Sequence, residues 1–167
     1  MLQQQIQHWP APQAGIELSA LIARKLDDFH INYCASPDFL EKHGPINHPS
    51  DLSRLPCIID TNFRDPHHWP FAQGQKVAVA GRLAFSNASA CLCAAEAGLG
   101  IACMPDFAAR EAVAAGRVLR LLADWTVDTR YQGTAYLLFA ASRHTPPKVR
   151  ALIDHLVAAL APGVQPG

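Results

Sequence analysis

The sequence predicts an α/β domain with a largely parallel sheet, and three observations carry that prediction. Short apolar runs of strand length alternate with helical segments along the chain. Helix-start residues follow directly on apolar runs, as at Ala35-Ser36-Pro37 and Phe85-Ser86-Asn87. Apolar residues make up 50% of the 167, enough for one full-sized core, or for one complete lobe and part of a second.

Taken in order, residues 1–18 contain Gln and Pro without a clear period and read as a lead-in with at most one short helical turn. Ile31 to Ala35 is a strand. Ser36 supplies an N-cap and Pro37 suits the first helical position, so a short helix runs to His43 and stops at Gly44-Pro45. Ser50 is placed to cap a second short turn, Asp51 to Leu55. Cys57-Ile58-Ile59 is a buried-strand run. Trp69 to Ala72 and Lys76 to Ala80 flank Gln73-Gly74-Gln75 as a hairpin, and Leu83 to Phe85 is a further strand. Asn87 caps a helix over Ala88 to Ala97. Ala and Cys lie on nearly every side of that helix, which predicts burial all round, and Gly98 suits its C-terminal cap. Gly100 to Met104 is a strand, and Pro105-Asp106 open a helix that ends at Gly116. Val118 to Leu122 and Ala135 to Ala141 are strands. Thr145 caps the last helix with Pro146 at its first position. Its apolar stripe is Val149, Leu152, Ile153, Leu156, Val157 and Leu160, with Lys148, Arg150 and Asp154 facing away.

Composition narrows the functional classes. Lys+Arg and Asp+Glu are balanced at 14 each, and the longest basic run is Arg24-Lys25, so any DNA contact comes from elsewhere or is minor. The first residues lack the basic start and apolar run of a secretory signal. The most apolar stretch, Ala88 to Met104, is interrupted by Glu96 and two glycines, so no membrane span is expected. The cysteines are Cys34, Cys57, Cys91, Cys93 and Cys103, an odd number in apolar contexts, which reads as reduced cytoplasmic thiols. No cysteine sits in a catalytic signature. His67-His68 beside Asp65 lacks a third metal ligand at a suitable spacing and reads as a solvated loop. Glu96 and Asp106 form no evident acid/base pair, and Gly98-Leu99-Gly100 lacks the third glycine of a phosphate loop. The expectation is of a non-enzymatic chain with no metal and no cofactor.

Alternating strands and helices place ligands beyond the C-terminal strand ends, where helix N-termini point. The junctions Ala35-Ser36-Pro37, Ser86 to Ser89 and Met104-Pro105-Asp106 each offer backbone N–H groups and a positive dipole end to a carboxylate or phosphate. The alternative is that Ser36 and Asn87 only cap their own helices.

Several segments resemble the effector domains of LysR-type transcription regulators. They are Leu21 to Leu26, then Cys34 to Leu40 with His43-Gly44-Pro45, then His48-Pro49 with Asp51-Leu52, Cys57-Ile58 and Trp69-Pro70-Phe71. The most specific are Gly81-Arg82-Leu83 through Asn87, Ala94 to Ala102, Met104 to Phe107, and Ser142 to Asp154. Each is weak alone; the ordered set, from about Leu21 to Leu160, is specific. The resemblance implies a fold like the type 2 periplasmic binding proteins, two α/β lobes joined by crossover strands around a small-molecule cleft. It implies a lead-in over 1–20, a partial first lobe from 21–31 and 135–161, an essentially complete second lobe over 32–134, and a tail over 162–167. Crossover strands would lie near Phe29 to Cys34 and Tyr136 to Ala141, with the final helix, Pro146 to Leu160, on the first lobe. Carried over by position, the effector-facing residues would be Ser36, Thr61, Asn87, Ala88, Ser89, Met104 and Pro105. Asn87 and Ser89 would donate to an anionic ligand, and Met104 and Pro105 would shape an apolar wall. The implied partners are a small-molecule effector and further copies in a homodimer or higher oligomer, with no membrane. DNA would be reached only through a winged helix-turn-helix that does not match any part of this chain. A free solute-binding protein of the same fold, or a dimerisation module without ligand, are the alternatives.

Overall fold

A computed structural model describes residues 21–125, 127, 133–140 and 146–160. The lead-in, the Ser142 to Thr145 segment with the cap expected at Thr145, the strand end at Ala141 and the tail lie outside the described residues. The elements, in order, are β1 (Leu21–Phe29), β2 (Ile31–Ala35), α1 (Pro37–His43), a 3-10 turn (Pro49–Arg54), β3 (Pro56–Asp60), β4 (His68–Pro70), a 3-10 turn (Ala72–Gly74), β5 (Lys76–Ala78), β6 (Ala80–Phe85), α2 (Ala88–Glu96), β7 (Ile101–Pro105), α3 (Asp106–Ala114), β8 (Leu119–Leu121), β9 (Gly133–Ala140) and α4 (Pro147–Leu160). The chain divides into two compact units, Asp28–Thr134 and Met1–Asp27 with Ala135–Gly167.

The larger unit is built on a five-stranded sheet in the order β6-β3-β7-β2-β8. β3 pairs parallel with both β6 and β7, whereas β2 pairs antiparallel with both β7 and β8. Four strands therefore share one direction, and β2 is inserted between β7 and β8 against it. The expected largely parallel sheet is thus half antiparallel by neighbouring pair. Only same-direction strands need a long crossover, and β2 joins β3 through one short helix and a turn.

Side-chain alternation separates two cores on the two faces of this sheet. Tyr33, Ala35, Cys57, Ile59, Ile101 and Cys103 pack on one face with Phe39, Leu52, Trp69 and Phe71. Cys34, Ile58, Ala102 and Met104 pack on the other with Cys91, Ala94 and Ala95 of α2 and Ala109 and Ala112 of α3. Both faces are covered, so these strands are apolar at consecutive positions rather than at alternate ones. Tyr33 stacks on Trp69 and Phe71 at ring-centroid distances of 5.4 and 4.9 Å.

Several local expectations hold. The Ser36 Oγ accepts from the Phe39 N–H at α1, and Asn87 caps α2. Gly98 and Gly116 take positive φ just beyond α2 and α3. Others are corrected. α2 buries one stripe, and Ser89, Cys93 and Ala97 are exposed, because its second side faces no other element among the described residues. The turn at 49–54 is capped by His48, not Ser50: the His48 Nδ1 accepts from the Ser50 N–H, and the Asp51 carboxylate accepts from the His48 N–H. Pro49 takes the first position and moves the cap one residue back from where a serine signal would put it.

In the smaller unit, β1 hydrogen-bonds to β9 in a two-stranded sheet. Arg24 pairs with Asp154 of α4 at 2.8 Å. On α4 only Ile153 is buried, while Leu152 and Leu160 stay 57% and 51% exposed, so the predicted stripe is covered along one edge alone.

Candidate functional site

Because β3, β6 and β7 share a direction, their C-terminal ends meet at one end of the sheet. β2 begins there, since Ile31 lies opposite Pro105. That end carries Asp60-Thr61-Asn62, Ser86 to Ser89, and Pro105-Asp106. Asp60 pairs in register with Phe85. Beyond it, the Phe85 carbonyl accepts from the Thr61 N–H at 2.8 Å and the Thr61 Oγ1 at 3.2 Å. The Asn62 Nδ2 donates to the Ser86 carbonyl at 2.7 Å. Two side chains from one strand end thereby hold the loop that leads into α2.

α2 starts on Asn87, whose Oδ1 accepts from the Ser89 N–H at 2.8 Å and the Ala90 N–H at 3.2 Å. Asn87 is extended at φ −151°, the cap conformation. The cap thus occupies the N–H groups of the second and third helical residues. The Asn87 Nδ2 and the Ser89 Oγ remain at the exposed surface, at the positive end of the helix dipole.

Asp106 opens α3. Its Oδ1 accepts from the Phe107 N–H and the His30 N–H, and its own N–H donates to the His30 carbonyl at 2.7 Å. The His30 Nδ1 lies 3.7 Å from the Asp106 Oδ2. Phe29 and Phe107 meet edge to face beside this pair. Asp60 is buried and accepts from the Asn62 N–H at 2.9 Å. Burial, and then the neighbouring Asp60 carboxyl, push the Cys91 thiol up to about 11.

Of the seven residues carried over by resemblance, Thr61, Asn87, Ala88, Ser89 and Pro105 share this end. Ser36 does not. It follows the C-terminal end of β2, which runs the other way, where Ala35 lies opposite Leu119. Ser36 is buried there, with its Oγ on the Phe39 N–H at 3.2 Å. Met104 lies on β7, which ends here, with its side chain fully buried in the core beneath α2 and α3. Asp60, Asn62 and His30 lie at this end and escape the sequence reading, whereas Asp106 belongs to a junction the sequence singles out without being among the residues carried over as effector-facing. The one available signal was an acid closing the apolar run Cys57-Ile58-Ile59.

Elsewhere the chemistry is quiet. Burial pushes Cys34 and Cys57 up to about 12 and Cys103 well above its ordinary value, so none of them supplies a thiolate near neutral pH. Asp65 binds the Lys76 Nζ and the His68 Nδ1, each at 2.8 Å, with Lys76 first and His68 second in holding its carboxyl below the usual range. Among the described residues no three His, Cys, Asp or Glu side chains converge as metal ligands, and no helix is long and apolar enough to cross a membrane.

Comparison with known proteins gives this geometry its context. The family model for the LysR substrate binding domain matches residues 11–161. The chain is 35% identical over 126 residues to a probable HTH-type transcriptional regulator, LtrA, of Klebsiella pneumoniae, covering 74% of this chain and 41% of that protein. It is 34% identical over 141 residues to the HTH-type transcriptional regulator PtxR of Pseudomonas aeruginosa, covering 83% and 44%. The chain thus spans less than half the length of these relatives. Among solved structures, it resembles the regulatory domain of CrgA from Neisseria meningitidis with a TM-score of 0.75 and 25% identity, over 89% of this chain and 72% of that one. The regulatory domain of AphB from Vibrio vulnificus gives a TM-score of 0.68 and 30% identity, over 84% and 69%. These neighbours have the type 2 periplasmic-binding-protein-like fold. The chain belongs to the LysR substrate-binding domain family, the effector-binding domain of LysR-type transcriptional regulators.

Proposed function

We propose that this chain senses a small anionic metabolite at the sheet end formed by Thr61-Asn62, Asn87 to Ser89 and Pro105-Asp106. In the intact cytoplasmic regulator, acting as a homodimer or higher oligomer, that binding modulates DNA-dependent transcription without catalysis. DNA is read by a winged helix-turn-helix outside the residues described here. The observation that carries the site is the convergence of three parallel strand ends on a capped helix N-terminus, where Thr61 and Asn62 hold the loop that aims α2. Such an end binds anions through N–H groups and the helix dipole without a Lys or Arg. Asp60 and Asp106 stand at the same end and repel a polyanion, which favours a monocarboxylate. Ser36 caps α1 at the opposite end of the sheet, and Met104 packs in the core beneath α2 and α3, so neither touches the ligand in this reading. A ligand acts as a switch only by binding two states unequally.

The test is a thermal-shift screen of metabolite carboxylates. A ligand at a hundred times its Kd stabilises the fold by about 2.7 kcal/mol. The expected result is a raised Tm with some monocarboxylate, reduced in Ser89→Leu and Asn87→Leu. Asn87→Ser, which retains an N-cap oxygen, serves as the folded control lacking the amide donor. If hits appear and both leucine variants keep every shift, the site lies elsewhere.

A further inference from the structure

Gly81-Arg82-Leu83 takes no part in the site above, and it lines a groove at the opposite end of the sheet. The groove has a volume of about 690 Å³ and lies at the starts of β3 and β6, beside the loop before β7. Its apolar lining includes Leu55, Pro56, Leu83 and Leu99, and Leu99 is 55% exposed, a large apolar side chain without cover. Its only charged lining residues are Arg54 and Arg82, with no carboxylate among them.

The two arginines are set differently. Arg54 is oriented by Asp51, with Nη2 to Oδ1 at 2.7 Å. The Arg82 guanidinium has no hydrogen-bond or ion-pair partner among the described residues, and Arg82 sits in an irregularity of the edge strand. Between the pairs Pro56 with Ala80 and Ile58 with Leu83, β6 carries one residue more than β3. Such a bulge turns a side chain away from the ladder. Its geometry requires glycine at position 81, because a Cβ there would lie 1.6 Å from the Cys57 carbonyl oxygen. The backbone is thus committed to an arrangement that leaves a guanidinium at the rim of an uncovered apolar groove.

We propose that this groove is a second ligand site, distinct from the strand-end site, for a small amphiphilic carboxylate: an alkyl or aryl group on Leu55, Leu83 and Leu99, with its carboxylate on Arg82 and Arg54. Guanidinium is weakly hydrated and matches a carboxylate in two-pronged geometry. An exposed ion pair alone is weak, so the apolar part is needed for affinity, and a bare anion is a poor ligand.

The experiment is an amide NMR titration of the 15N-labelled full chain with sodium octanoate and sodium benzoate, and with acetate and inorganic phosphate at matched concentrations. The expected result is saturable shifts from octanoate or benzoate in residues 53–57, 80–83 and 99. Arg82→Gln lowers the affinity about tenfold, the loss expected for one charge-assisted contact. Leu99→Gln weakens the longer ligand and leaves the spectrum otherwise folded. Both positions are exposed, so both variants retain the fold. The proposal is overturned if neither probe binds, if shifts appear only at 61–62, 86–89 and 105–106, if Arg82→Gln binds as tightly as the parent, or if acetate or phosphate saturates the groove equally well. Ser89→Leu leaves binding here unchanged, so this site and the strand-end site fail or stand separately.

Discussion

At the scale of the residue, Asn87 has a structural role that any ligand must share. Its Oδ1 satisfies two N–H groups of α2, so Asn87→Ala costs about 1 kcal/mol, read as a shift in the urea midpoint at unchanged slope. Asn87→Asp, which keeps the acceptor, restores most of it. The cysteines make a second prediction. The ordinary thiol value is near 9, while Cys91 is pushed up to about 11 and Cys34 and Cys57 to about 12 by burial. A folded value above the unfolded one means that the fold prefers the protonated thiol. That preference is fully present below pH 9 and is lost as pH rises from 9 through 11 to 12. Stability therefore falls over that alkaline window, and a Cys34→Ala, Cys57→Ala double variant shows a shallower fall. Cys93 is the one exposed thiol of the five, so native labelling near pH 8 modifies one equivalent quickly, and denaturant releases the other four. Two or more fast equivalents would contradict the burial described here.

At the scale of the element, the β3–β6 pair depends on a close approach that no side chain permits. A Cβ on Gly81 would meet the backbone oxygen and carbon of Cys57 at 1.6 and 2.7 Å, and backbone cannot give way cheaply. Gly81→Ala therefore destabilises by several kcal/mol, or prevents folding, as measured by chemical denaturation. Gly44→Ala is the comparison: φ is +82° with ψ at 177°, and nothing lies within 4 Å of its Cβ, so the cost is confined to backbone strain of about 1–3 kcal/mol. A Gly81→Ala protein as stable as Gly44→Ala would remove the bulge from the account of β6. The short elements were legible in sequence where one local device defined them. Ser36-Pro37 with Gly44 marked both ends of α1, and Gly98 marked the end of α2. β1 was not, because four of its nine residues are charged and neither face is fully covered, so its alternation is faint.

At the scale of the molecule, burial is unequal. The larger unit holds both apolar clusters, whereas among the described residues of the smaller unit Ile153 alone is a buried hydrophobic. Amides of β2, β3 and β7 therefore exchange slowest, and those of β1, β9 and α4 exchange faster, in a hydrogen-exchange time course. Equal protection in the two sets would mean that β1, β9 and α4 are covered by something beyond the described side chains.

The sequence by itself determined the α/β class, the caps, most strand positions and the family. These follow from local chemistry and from ordered short motifs, which survive without knowledge of neighbours. Only the tertiary structure decided which strand ends meet. Ser36 and Asn87 look alike in sequence, each a capping residue after an apolar run. β2 runs against β3, β6 and β7, so Ser36 goes to the opposite end of the sheet and Thr61, Asn87 and Pro105 come together. Strand direction is set by long-range pairing, and no residue type at a junction carries it.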